Sequence, residues 1–254
     1  MIASSEKIVR TQAGIFLWTE SFGDPGLKPI LLIMGAMNQG LFWYRSFCER
    51  LVAAGYFVIR YDNRDTGKSS SIDFRKAPYD MDAMTADALA ILDAYGIVRA
   101  DIMGTSMGGY IAQLLAAQFP DRVDHLLLLS TTADHRPYMA ATKGIYRQGM
   151  YELSPPAPSF LAFVAKSALK VPVTREGRID LAVEGWRVVH GGSLSFPEAE
   201  IRALVEEAVN QSQNRLTALN HAFAVDLSPP RMKILPQIKK PTLVLHGEFD
   251  PCLP

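Results

Sequence analysis

One stretch, residues 101–120, limits what this chain can fold into. Asp101-Ile102-Met103 reads as the end of an apolar strand, and Gly104-Thr105-Ser106-Met107-Gly108-Gly109 follows at once. Residues 107–119 then form a buried helix that Pro120 terminates. A strand that turns so abruptly into a helix needs glycine on both sides of its apex, because side chains at Gly104 and Gly108 would collide with neighbouring backbone. Such a turn lifts the Ser106 hydroxyl above the sheet. It also aims the first amides of the helix, beginning with that of Met107, at any oxyanion formed there. The G-x-S-x-G spacing alone is common by chance, and a serine that merely caps a glycine-rich helix start is the competing reading. The strand–turn–helix setting favours a nucleophile.

The rest of the first half keeps the same rhythm. Leu17–Glu20, Pro29–Met34, Tyr56–Tyr61 and Val123–Ser130 read as strands, and the 29–34 run lacks alternation, as a strand covered on both faces should. Apolar stripes at Phe47, Cys48, Leu51 and Val52, and at Met84, Ala88, Ile91, Leu92 and Tyr95, predict helices stopped by Gly55 and Gly96. Strands alternating with helices imply βαβ units, a mostly parallel sheet and helices on both of its faces. From 134 to 235 only helical stripes recur, among them Ile201, Leu204, Val205 and Ala208, and the α/β rhythm resumes at Pro241–His246. The expected organisation is an α/β core of residues 1–133 and 236–254, interrupted by a helical cap of residues 134–235 that lines a pocket opposite Ser106.

Charge narrows the partners. The 254 residues carry 26 Lys and Arg against 26 Asp and Glu, for a net charge of zero, which argues against nucleic acid or an anionic membrane surface. Two cysteines, Cys48 and Cys252, make no disulfide framework, and there is no metal-ligand spacing, phosphate loop or dinucleotide fingerprint, so neither a metal nor any other cofactor is expected. With no apolar signal core at the N-terminus and no membrane-length apolar run, the expected location is the cytoplasm.

Two further elements complete the candidate site. The strand ending at Met34 runs into Gly35-Ala36-Met37-Asn38, where Gly35 allows close backbone approach and the Ala36 amide is the candidate second oxyanion donor; an ordinary tight turn is the alternative. The strand ending at His246 runs into Gly247-Glu248-Phe249-Asp250, and a carboxylate just past a strand end suits an acid that orients a histidine. Asp250 is preferred to Glu248, which sits closer to the turn glycine; simple capping of the loop before Pro251 is the alternative.

With these residues in place the sequence resembles the α/β-hydrolase superfamily, from about residue 12 onward. The resemblance rests on Met34-Gly35, the Tyr61–Ser69 stretch, Gly104–Gly108 and Pro241–Asp250. Arg60-Tyr61-Asp62-Asn63-Arg64-Asp65-Thr66-Gly67-Lys68-Ser69 together with Asp73-Phe74 looks like the aclacinomycin-methylesterase-like carboxylesterases in particular. The resemblance implies Ser106 as nucleophile, Asp250 as triad acid, and the Ala36 and Met107 amides as the oxyanion hole. It also implies a histidine after the acid in chain order. None of the five histidines stands there. His246 precedes the acid, His125 starts a strand, and His190 and His221 fall within the expected cap. His135 is the least implausible substitute. The triad histidine, with a C-terminal strand and helix, is therefore expected beyond residue 254. The strand at Thr242–His246 would otherwise lack cover and a partner on its outer edge, which a C-terminal complementing segment or a second copy of the chain (a homo-oligomer) would supply.

Tyr138, Met139, Tyr151, Phe160, Phe163, Trp186 and Phe196 in the expected cap suit an apolar pocket, although each equally suits the packing of a small helical unit. Collectively they favour a hydrophobic ester as substrate. The expected activity is ester hydrolysis through an acyl-enzyme; the alternative is a non-hydrolytic member of the fold that binds a ligand or a partner.

Overall fold

The computed structural model describes residues 2–169, 172–192, 194–212 and 217–254. The chain divides into two compact units, Met1–Ala133 with Ser212–Leu245, and Asp134–Gln211 with His246–Pro254.

The first unit is built on a mixed seven-stranded sheet. Strands β1 (Ser4–Arg10), β2 (Phe16–Phe22), β3 (Lys28–Ile33), β4 (Tyr56–Tyr61), β5 (Ala100–Thr105), β6 (Val123–Leu129) and β7 (Thr242–Leu245) lie in the order β1-β2-β4-β3-β5-β6-β7. β1 pairs antiparallel with β2, and β2 antiparallel with β4. All remaining pairs are parallel. Helices α1 (Arg45–Ala53), α2 (Met81–Ala94) and α3 (Met107–Gln118) form the crossovers. The predicted stripe of α2 is the buried one: Met84, Ala88, Ile91 and Leu92 are all sealed in the core with Leu31, Ile33, Ile59 and Ile102. Asp80 caps α2 by accepting from the Ala83 amide at 3.0 Å, and Gly96, at φ 67°, ends it. α3 is buried from Met107 to Ala116, as its apolar sequence demands.

β1 escaped the sequence reading because it is polar: Ser4-Ser5-Glu6-Lys7 has no apolar run, and only Val9 is buried. Side chains of β2 hold it instead, Trp18 donating to the Glu6 carboxylate at 2.6 Å and Thr19 to the Lys7 carbonyl at 2.8 Å.

All described secondary structure between 134 and 235 is helical: α4 (Arg136–Thr142), α5 (Pro158–Leu169), α6 (Arg175–Val189), α7 (Glu198–Gln211) and α8 (Asn220–Leu227), with short 3-10 turns. The boundary differs from the expected 235, because α8 and the segment after it group with the sheet unit. Asn220 and His221 hydrogen-bond to the loop after β4. Arg231 donates to Gln113 on α3 at 2.6 Å and to the Thr132 carbonyl, and its guanidinium stacks on Tyr110. Those polar ties connect residues far apart in sequence, so no local pattern announces them. Residues 246–254, expected with the core, group with α4–α7: the Ala157 amide donates to the Pro251 carbonyl at 2.8 Å, and Gly191 packs on Phe249. Within that second unit Arg136 is paired with Asp134, and Tyr138 lies against Phe160.

β7 pairs with β6 from Leu126 to Leu129 and has no second neighbour among the described residues. Its apolar side chains are consequently open to solvent, with Leu243 51%, Val244 60% and Leu245 49% exposed.

Candidate active site

Ser106 stands between β5 and α3 at φ 51°, ψ −121°, a backbone conformation that an L-residue occupies only when its surroundings fix it. The fixing contacts are visible. The Ser106 amide donates to the carbonyls of Leu129 and Ser130 at 3.0 and 3.1 Å, and the Thr131 hydroxyl donates to the Ser106 carbonyl at 2.7 Å. The flanking glycines are required sterically. A Cβ on Gly104 would run into the Gly108 carbonyl, and one on Gly108 into the Ile33 carbonyl. Met107 is the first residue of α3, so its N–H has no carbonyl one helical turn back to bond and is available at the positive end of the helix dipole.

The loop after β3 comes up beside this turn. A Cβ on Gly35 would lie 3.2 Å from that of Ser106 and 3.8 Å from its hydroxyl oxygen, so the Gly35–Ala36 backbone is the protein surface nearest the serine from that side. The loop is pinned at three points. Asn63 donates to the Met34 carbonyl at 3.0 Å, Asn38 donates to the Ala36 carbonyl at 3.1 Å, and the Met37 amide donates to His221 Nδ1 at 2.9 Å. Met37 itself has φ 65°. Ser106, Met107, Gly104, Gly108, Gly35 and Ala36 thus all lie in the sheet unit, around the turn between β5 and α3 and the loop after β3.

Asp250 belongs to the other unit. Its Oδ1 accepts from the Cys252 and Leu253 amides at 2.9 and 3.0 Å, closing the turn that Pro251 enters, and its Oδ2 lies 3.5 Å from His246 Nε2. The His246 ring also reaches the Leu253 carbonyl at 2.7 Å. One carboxylate therefore both caps the loop through Oδ1 and faces the His246 ring through Oδ2. Burial beside Asp250 pushes the Cys252 thiol up to about 12, so it is no thiolate nucleophile at neutral pH.

The other histidines have separate surroundings. His125 Nδ1 lies 2.8 Å from Asp101 and 3.2 Å from Lys28, at the start of β6. His135 is the buried residue ahead of α4, and His190 stacks edge-on against Phe196. His221 is the one that the sequence reading misplaced. It lies on α8 in the sheet unit, fully buried, with Nδ1 on Met37 and Nε2 donating to the Arg64 carbonyl at 2.7 Å. Burial holds its pKa below the ordinary 6.5, with Arg64 pushing the same way and the Arg64 carbonyl bond and Asp65 opposing.

The Tyr61–Ser69 loop is a buried polar frame around this site. Arg64 makes two 2.7 Å bonds to Asp87 on α2, and Asp65 accepts from Tyr79 at 2.6 Å and from Asn220 at 3.0 Å. Asp62 accepts from the Gly40 and Lys68 amides at 2.7 and 2.9 Å; burial pushes its pKa up to about 6 against those two bonds. Each of these acids has its partners within the fold, so the loop they belong to is tied down by its own buried polar groups. No group of three or more His, Cys, Asp or Glu side chains positioned to hold a metal ion occurs among the described residues, and no described helix is long and apolar enough to cross a membrane.

Ser106 thus sits at positive φ on a sharp turn between a parallel strand and a buried helix, flanked by glycines that admit no side chain. The family model described as alpha/beta hydrolase fold matches residues 28–254, and the chain belongs to that family. It is 34% identical to rhodomycin D methylesterase DnrP of Streptomyces peucetius over 255 residues, covering 96% of this chain and 82% of that protein. The match to rhodomycin D methylesterase DauP of Streptomyces sp. (strain C5) has the same identity and coverage. Among solved structures, the 2-hydroxy-6-oxo-6-phenylhexa-2,4-dienoate hydrolase of Rhodococcus sp. strain RHA1 superposes with a TM-score of 0.72 at 17% identity, covering 100% of this chain and 84% of that one. The esterase of Exiguobacterium antarcticum gives 0.71 at 20%, covering 98% and 84%. Both structural likenesses bear on the fold. The family match and the methylesterase relatives together place the chain among the carboxylic ester hydrolases.

Proposed function

We propose that the protein is a serine esterase that cleaves a carboxylic ester of a hydrophobic small molecule through an acyl-enzyme. The strained Ser106 turn carries this reading, because a backbone held at φ 51° by three hydrogen bonds has no purpose in a serine that only caps a helix. In the proposed reaction Ser106 Oγ attacks the ester carbonyl, and the Ala36 and Met107 amides receive the charge that develops on its oxygen. The alkoxide departs with a proton, and water releases the acid from Ser106 in a second, equivalent step. Asp250 is assigned as the acid that orients the base, its Oδ2 being the oxygen not engaged in capping the loop. The base is assigned to a histidine C-terminal to Asp250, the chain order of the family. The methylesterase names of the relatives support a methyl ester as the group cleaved. The aromatic side chains of α4–α7 support an apolar substrate.

The test is steady-state hydrolysis of p-nitrophenyl esters by the full-length protein and its Ser106→Ala variant. The variant is expected to lose about 10⁴-fold or more in kcat. Near-wild-type turnover by Ser106→Ala would remove the assignment.

A further inference from the structure

His221 takes no part in the triad chemistry just assigned, yet it is buried and touches the loop that carries Ala36. Met37 N–H can only donate, so His221 Nδ1 must accept, and the ring proton must sit on Nε2, where it is given to the Arg64 carbonyl at 2.7 Å. The ring is thus a strut of fixed tautomer between two backbone groups, 184 and 157 residues away in sequence. Its far end is itself anchored, since Arg64 is locked by two bonds to Asp87 on α2.

The near end matters for catalysis. The peptide joining Ala36 to Met37 is held at both poles, its carbonyl by Asn38 Nδ2 and its N–H by His221. Met37 is strained at φ 65°, so the backbone gains by rotating this peptide whenever a pole is released. Rotation there shifts the preceding Gly35–Ala36 peptide, whose Gly35 end packs beside Ser106, out of its orientation.

We propose that His221 is a positioning residue that keeps the Ala36 amide aimed at the oxyanion by locking the Ala36–Met37 peptide. The proposal rests on the Ser106 esterase reading and adds to it a residue outside the triad. A proton on Nδ1 would set two donors face to face and break the lock. The charged groups that face the ring, Asp65 and Arg64, act in opposite directions, and burial favours the unprotonated form.

Two replacements separate the two ends of the strut. His221→Asn places an amide oxygen near the Nδ1 position and keeps an acceptor for Met37. His221→Gln reaches toward the Nε2 position and serves only Arg64. With a p-nitrophenyl ester and the full-length protein, His221→Gln is expected to lower kcat about 10- to 100-fold with KM changed less than about threefold, as partial loss of an oxyanion donor should. His221→Asn is expected to recover most of that loss. If His221→Gln does not fold, Asn38→Ala, which releases the other pole of the same peptide, should show the same kcat-specific loss. Wild-type kcat in a folded His221→Gln or, failing that, in Asn38→Ala would overturn the role of His221 alone. Equal losses in the Gln and Asn variants would also overturn it, as would a loss carried by KM. Absence of turnover in the wild type would instead remove the Ser106 reading and the positioning role with it.

Discussion

Ser106 and its glycines show how tightly single residues are specified here. Gly108 packs against the Ile33 carbonyl so closely that even a methyl group has no room, and the obstruction is backbone rather than a side chain that could swing away. Gly108→Ala should therefore lower stability by about 1–3 kcal/mol and displace the Ser106 turn, which thermal melting and ester turnover would register together. An unchanged melting temperature would contradict the geometry. His221 gives a second, pH-dependent expectation. Its pKa lies below 6.5 in the folded state, so below that pH the unfolded chain takes up the proton first. The stability that His221 contributes is therefore complete above 6.5 and declines as pH falls toward the lowered value. Asp62, pushed up to about 6, works in the opposite sense, losing stability as pH rises from its ordinary 3.8. Comparing wild type with His221→Asn removes that common background. Melting curves at pH 7.5 and 5.5 should show a smaller acid-side loss in the variant, and parallel losses would refute the assignment. The Ser106 turn and its glycines were legible in sequence because their short spacing encodes a sharp turn. His221 was not, because a buried strut is recognisable only when its two distant partners are known.

At the scale of elements, the core helices and parallel strands could be read from periodicity because burial writes itself into composition: the α2 stripe and the unbroken apolar run of β3 are examples. β1 could not, since a polar edge strand held by cross-strand bonds to β2 carries no apolar signature. The end of the helical insertion was equally hidden, because the buried polar ties of Asn220 and His221 on α8, and of Arg231 after it, reach partners far away in sequence. The Arg64–Asp87 pair is the corresponding energetic feature. Both side chains are about 95% removed from solvent, so removing the acid leaves a buried cation. Asp87→Ala should cost roughly 3–5 kcal/mol and loosen the Tyr61–Ser69 loop from α2. Denaturant unfolding would measure it, and a loss below about 1 kcal/mol would show that the arginine finds another partner.

At the scale of the whole molecule, β7 leaves one edge of the sheet lined by exposed Leu243, Val244 and Leu245, a template for further pairing. A polypeptide of residues 1–254 is expected to self-associate at micromolar concentration, and Val244→Lys to shift it toward monomer in light scattering. A monodisperse unsubstituted monomer would contradict this. The edge and its strand were readable from the apolar run at 242–245, whereas the units into which the chain divides were not, since they depend on contacts such as that of Ala157 with Pro251. The central claim, that this fold exists to present Ser106 as a nucleophile, is tested most directly by covalent trapping. The full-length protein is treated with a fluorophosphonate at neutral pH and mapped by peptide mass spectrometry. A single stoichiometric adduct on Ser106 is expected, formed in step with loss of ester hydrolysis and absent from Ser106→Ala. Retained hydrolysis with Ser106 unlabelled, or an adduct on another residue that accounts for the inactivation, would contradict it.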